Sequence, residues 1–134
     1  MSSLNAFINP IKVENKEVII SNRFQEGGKT VPFIIRPLSQ DENSQLIRKH
    51  TKKDKKGNET LDKVAYNQDM TASAVVFPDL ENAELQKAYG VLGASKLLTA
   101  MLYVGEYATL MQEVQELSGL DIDINEDVEN VKNL

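Results

Sequence analysis

Gly28-Lys29-Thr30 has the look of the end of a phosphate-binding loop, in which backbone amides and a lysine cradle phosphate oxygens. That motif requires a glycine where this chain has Arg23 and a helix where it has Val31-Pro32-Phe33, so the tripeptide reads as part of a hairpin turn. The single His50 ends a basic run, and the chain has no cysteine and no second histidine with which to build a metal site or an activated thiol. It reads as a helix-terminal surface residue. Carboxylates are numerous, but no spacing among them identifies an acid/base pair, and surface solvation accounts for them. No catalytic, cofactor-binding or metal-ligating residue is assigned, and the chain reads as a binder of other proteins rather than an enzyme.

Charge is the next chemical signal. Arg48, Lys49, Lys52, Lys53, Lys55 and Lys56 crowd one segment, while Asp121, Asp123, Glu126, Asp127 and Glu129 load the other end, within a formal net charge of −5. The basic run reads as a solvated helix end and loop. Its alternative is an electrostatic patch for an acidic partner, although no aromatic residue interleaves there to stack on bases and the overall charge argues against nucleic acid as the main ligand. With 134 residues, 41% hydrophobic and 26% charged, the composition fits one globular core. The longest apolar runs, 74–77 and 100–104, fall far short of the ~20 residues that span a bilayer. Nothing at the N-terminus resembles a secretion signal, so the expectation is a protein retained in its cell, and the sequon Asn58-Glu59-Thr60 is read as chance.

The elements that must position these residues follow from local pattern. Residues 18–24 and 31–36 have strand patterning, with Gly27 and Gly28 between them, which predicts a β-hairpin. Pro32 cannot donate to a ladder and marks its position as a sheet edge, and Pro37 ends the second strand. Ser39-Gln40-Asp41-Glu42 is a capping box that starts a helix running to about Thr51, weakly anchored by Leu46 and Ile47. Lys55-Lys56-Gly57-Asn58 follows as a solvated loop. Helical patterning resumes over 61–77, with Tyr66, Met70, Ala74 and Phe77 on one face and Pro78 as the stop. Asp79 or Asn82 caps a short helix through Tyr89 that ends at Gly90, with Leu85 and Tyr89 inward.

Two further helices group Leu97, Leu98, Met101 and Leu102, then Tyr107, Leu110, Met111, Val114 and Leu117, with Gly105 predicting a break near Val104 and Gly119 a stop. The fold class is therefore α+β, mostly α: a small helical domain with an N-terminal β-hairpin over 1–120, then an acidic C-terminal tail over 121–134, read as disordered or loosely helical. More apolar residues gather over 89–114 than one thin helical layer covers. Tyr89, Met101, Tyr103, Tyr107, Met111 and Val114 are the candidate partner-binding residues, since methionine adapts and tyrosine buries its ring with the hydroxyl wet. Part of that stripe must be core, and Tyr103 and Tyr107 are better suited to contact than Leu110.

A longer pattern lies across these elements. Val76-Phe77-Pro78-Asp79-Leu80, the run from Asn82-Ala83-Glu84-Leu85 to Tyr89-Gly90-Val91, Gly105-Glu106-Tyr107-Ala108 and Val114-Gln115-Glu116-Leu117-Ser118-Gly119 closely resemble, in order, the XkdN-like phage tail assembly chaperones. Arg23-Phe24, Arg36 with Leu38-Ser39, and Thr51-Lys52-Lys53 extend the likeness over roughly residues 5–120. The resemblance implies a phage or prophage protein encoded beside the tape measure protein. It would bind the tape measure chain, help bring tail tube subunits to it, and leave before the tail is complete. The implied partners are the tape measure protein and the tail tube protein, with a homo-oligomer left open, no cofactor and no catalytic motif to carry over. The implied place is the cytoplasm of the bacterial host, outside the mature virion. In such genes a translational frameshift can append a further domain near this end.

Physics is compatible with that role. A long tape measure helix exposes apolar stripes that would aggregate, and a helical partner can cover one in a helix-in-groove mode. Release demands that each contact stay modest and reversible. Two other readings remain at this point: a nucleic-acid-associated phage regulator using 48–56, and a structural tail component kept in the particle.

Overall fold

Gly27 and Gly28 both hold positive φ, 59° and 79°, the pairing of conformations that a two-residue type I′ turn requires. They close β2 (Gln25–Glu26) onto β3 (Lys29–Thr30), with Glu26 opposite Lys29. Below this tip β1 (Lys16–Val18) pairs antiparallel with β4 (Phe33–Ile35), Val18 opposite Phe33. The expected hairpin is therefore present as two paired stretches, with residues 19–24 irregular between them. The computed structural model describes residues 3–120, and the acidic stretch 121–134 lies outside the described residues. Ahead of β1, α1 (Leu4–Ile8) forms a short helix that sequence patterning did not single out, with Phe7, Ile8, Ile11 and Val13 exposed.

β4 is not an edge. It pairs on its far side with β7 (Val75–Phe77), which makes the sheet order β1-β4-β7. Pro32 sits just ahead of the strand, where its missing N–H removes no ladder bond, so the edge expected there is corrected to a strand entry. The helix expected over 61–77 is likewise shorter. α3 (Lys63–Ala74) stops at Ala74, and the β-branched Val75 turns extended to start β7. Phe77 thus leaves the face shared by Tyr66, Met70 and Ala74 and stands half-exposed at the sheet edge.

α2 (Gln40–Lys49) begins as the capping box predicts. Ser39 Oγ accepts from the Glu42 amide at 3.1 Å and Glu42 Oε1 accepts from the Ser39 amide at 3.2 Å. Arg36 grips the same carboxylate with both terminal nitrogens, at 3.0 and 2.6 Å. The Arg36 guanidinium, helped by the Ser39 amide, holds the Glu42 carboxyl down at about 2. Beyond α2 the expected loop at 55–58 is the turn of a second hairpin, whose strands β5 (Thr51–Lys53) and β6 (Glu59–Leu61) sequence patterning did not single out. Its turn is closed by Asp54, whose Oδ1 accepts from the amides of Lys56 at 2.8 Å and Asn58 at 2.9 Å.

α4 (Ala83–Ala88) starts at Asn82, whose side chain accepts from the Leu85 amide at 2.9 Å. Its C-terminus and that of α6 (Val104–Leu117) share one device: Gly90 and Gly119 take positive φ, and the next amide reaches back, Val91 to Gln86 at 3.1 Å and Leu120 to Gln115 at 2.9 Å. The break expected near Val104 falls at Leu102 and Tyr103, both extended, between α5 (Ala94–Met101) and α6. The core joins Val18, Phe33 and Ile35 of the sheet to Ala72 and Ala74 of α3, Leu97, Leu98 and Met101 of α5, and Leu110 and Val114 of α6. Phe24 meets Phe33 edge to face with ring centres 5.6 Å apart. No helix among the described residues is long and apolar enough to cross a membrane.

Candidate partner-binding surface

At the α5–α6 junction the chain runs extended for two residues, so Tyr103 becomes the residue from which α6 starts. Glu106, three positions on, accepts from the Tyr103 amide at 2.8 Å and fixes the first turn. The same carboxylate takes Arg23 Nε at 2.8 Å and Arg23 Nη2 at 2.5 Å, and Nη2 also donates to the Met101 carbonyl at 2.9 Å. The guanidinium lies 4.4 Å from the centre of the Tyr103 ring and 5.0 Å from that of Phe24, within cation–π range of both. Arg23 first, then the Ser21 side chain and the Tyr103 amide, hold the Glu106 carboxyl down at about 2 from an ordinary 4.5. An exposed tyrosine, 69% accessible, is thus held in place by its own amide and by a cation against its face.

Beside this junction opens an apolar cleft of about 210 Å³, lined by Phe24, Phe33, Phe77, Pro78, Leu85, Tyr89 and Met101 among others. Phe24 belongs to both features, since it lines the cleft and lies against Arg23. A larger depression of about 600 Å³ runs between α4 and the start of α5, with Lys87 and Lys96 on its walls. The smaller cleft is the better apolar receptor because four aromatic rings converge on it.

The sequence candidates separate into three groups. Tyr103 and Tyr89 are accessible, at 69% and 40%, and the inward orientation expected for Tyr89 is corrected: it stands on the cleft rim. Met101 and Val114, 6% and 0% accessible, are core side chains, as is Leu110. Tyr107 and Met111 are half-buried. The Tyr107 hydroxyl is itself buried and has no hydrogen-bond partner of normal geometry among the described residues. Burial pushes its phenol up, and the neighbouring Thr71 side chain offsets this in part.

Arg23 and Phe77 were not among the site candidates. Their place comes from contacts across the fold, although both lie in segments that carried the family resemblance. His50 ends α2, as expected, but it is partly buried rather than a surface residue: its Nε2 lies 2.9 Å from Asp69 Oδ2, which also takes Lys49 Nζ at 2.7 Å. Burial opposes ionisation of Asp69, but the hydrogen bonds from Lys49 and His50 outweigh it and lower the carboxyl's pKa.

Residues 4–132 match the family model of the phage XkdN-like tail assembly chaperone proteins. The chain belongs to this family. It is 28% identical over 129 residues to the phage-like element PBSX protein XkdN of Bacillus subtilis (strain 168), which covers 92% of this chain and 87% of that protein. The crystal structure of the protein YqbN aligns with a TM-score of 0.74 and 28% identity, over 87% of this chain and 96% of that one. Tail assembly chaperoning is a non-catalytic role. In this chaperone several residues that carried the resemblance prove to be structural: Ser39 caps α2, Gly90 and Gly119 end helices, and Arg23 with Glu106 fixes the junction.

Proposed function

We propose that this tail assembly chaperone binds the tape measure protein of its phage or prophage and helps recruit tail tube subunits to it. Membership of the family over residues 4–132 carries the reading. The contact surface in this proposal is the aromatic cleft with Tyr89 on its rim and Tyr103 beside it. An amphipathic helix laid across that surface would place one or two apolar side chains in the cleft, while the tyrosine rings cover its flank with their hydroxyls in water. Because Tyr103 is already fixed by Glu106 and Arg23, little side-chain freedom is lost on contact. A cleft of about 210 Å³ gives a modest contact per chaperone, which suits a partner that must be displaced by tube subunits.

The test is co-expression with the tape measure protein. The chaperone should keep it soluble and co-purify with it, and Tyr103→Ala should lose capture at a near-normal melting temperature. Val114→Ala serves as the control that loses stability first. Equal aggregation of the tape measure protein with and without the chaperone would sink the reading. Retention in purified particles would favour a structural tail component instead.

A further inference from the structure

We propose that the acidic segment 121–134 binds the basic hairpin β5–β6 of the same chain and covers it. The hairpin region holds cations that nothing described neutralises. Lys16, Arg23, Arg36, Lys49 and Lys53 each have a carboxylate partner among the described residues, whereas Arg48, Lys52, Lys55 and Lys56 have none there. The turn at Asp54 and three cross-strand pairs hold this charge in a defined shape rather than on a loose loop. Against it, 121–134 carries five carboxylates and only Lys132.

Alternatives on the same chain are poor. Apart from 48–56, the chain through residue 120 holds eight Lys and Arg against fourteen Asp and Glu, so the rest of the body carries net negative charge and the basic run is the densest attraction for the segment. Geometry permits the contact. The segment leaves from Leu120, next to Ser118, whose Oγ accepts from the Leu38 amide at 2.9 Å just ahead of α2. The hairpin lies at the opposite end of α2, whose ten residues span about 15 Å. Fourteen residues of chain reach up to about 46 Å when extended, so the distance is covered with ample slack.

Each exposed pair is worth only about 0–1 kcal/mol, but tethering gives the segment an effective concentration in the millimolar range, so several weak pairs suffice. The contact leaves stability almost unaltered and masks the surface that would otherwise attract acidic ligands. This inference goes beyond tape measure binding and does not depend on it.

The 134-residue chain has no cysteine, so Leu134→Cys in that whole chain accepts a single spin label. In dilute low-salt buffer the backbone amide signals of residues 52–58 should lose intensity severalfold through paramagnetic broadening. The effect should disappear in 1 M salt, where the Debye length is about 3 Å. It should also disappear in Lys52→Glu/Lys55→Glu/Lys56→Glu, and again when the five carboxylates of the segment are changed to their amides. No broadening at 52–58 in low salt, or broadening that survives charge reversal, would overturn the proposal. Broadening that requires the spin label and the isotope label on separate molecules would overturn the same-chain contact in favour of a second copy.

Discussion

The α5–α6 junction and the β5–β6 hairpin are both short and both present exposed side chains, yet they are built in opposite ways. Arg23 and Glu106 are 83 positions apart in sequence, and the arginine reaches Met101 across 78. The hairpin is closed by Asp54 over two and four positions, and at its base the Asp62 amide donates to the His50 carbonyl, only twelve positions away. A surface residue fixed by a distant partner is oriented only while the whole core is formed. Tyr103 therefore reports on the global fold, whereas the hairpin lysines depend on little beyond their own turn.

The strongest way to probe that contrast is Phe33→Ala, which removes a ring packed against Phe24 and the helical core. It should cost about 3–5 kcal/mol and lower the thermal midpoint sharply. An unchanged midpoint would mean that the sheet stands apart from the helices. Arg23→Met should do less to stability and more to function, since it keeps apolar bulk near Phe24 but frees Tyr103 and Glu106. Tape measure capture should fall well before the midpoint does, and equal loss of both would make Arg23 a fold residue alone.

Acid offers a subtler version of the same comparison. Glu42 and Glu106 sit near 2 when folded, against an ordinary 4.5, so the stability they supply is complete above about pH 4.5 and is lost as pH falls toward 2. Glu42→Gln and Glu106→Gln should each flatten that part of a melting-temperature profile, and an unaltered slope in both would show that neither arginine clamp matters. At the small end, Lys52→Glu and Lys55→Glu should each shift stability by no more than about 0.5 kcal/mol in a denaturant melt. A larger change would mean that the hairpin is more firmly docked than its local bonds suggest.

The contrast also explains what could be read from the chain alone. The cap at Ser39, the stops at Gly90 and Gly119, the tight turn at Gly27-Gly28 and the break ahead of α6 are all decided by neighbours within a few residues, and they were legible. β5 and β6 were not, because Thr51, Lys52, Lys53, Glu59 and Thr60 present no alternating apolar face to signal a strand. Val75 to Phe77 continued a helical pattern and became a strand because β4 had a free side to be paired, a tertiary demand that local propensity does not carry. Periodicity placed Tyr107, Leu110, Met111 and Val114 on one stripe but could not say how much of it meets the core. Tyr103 was a candidate because a tyrosine buries its ring while the hydroxyl stays wet, whereas the arginine beneath it belongs to the other end of the chain.

The sheet has a consequence for synthesis. β4 finds β1 within its own hairpin but gains β7 only after α2, the second hairpin and α3 have been made. Lys16 meets Glu113 across 97 positions, and Leu110 and Val114 complete a core begun by Val18. A nascent chain therefore carries Phe33 and Ile35 without their full cover until α6 has left the ribosome, a window in which it is itself open to aggregation. Refolding should accordingly be slower than the six helices of the described residues would suggest, because closing these long loops sets the rate rather than winding any one helix.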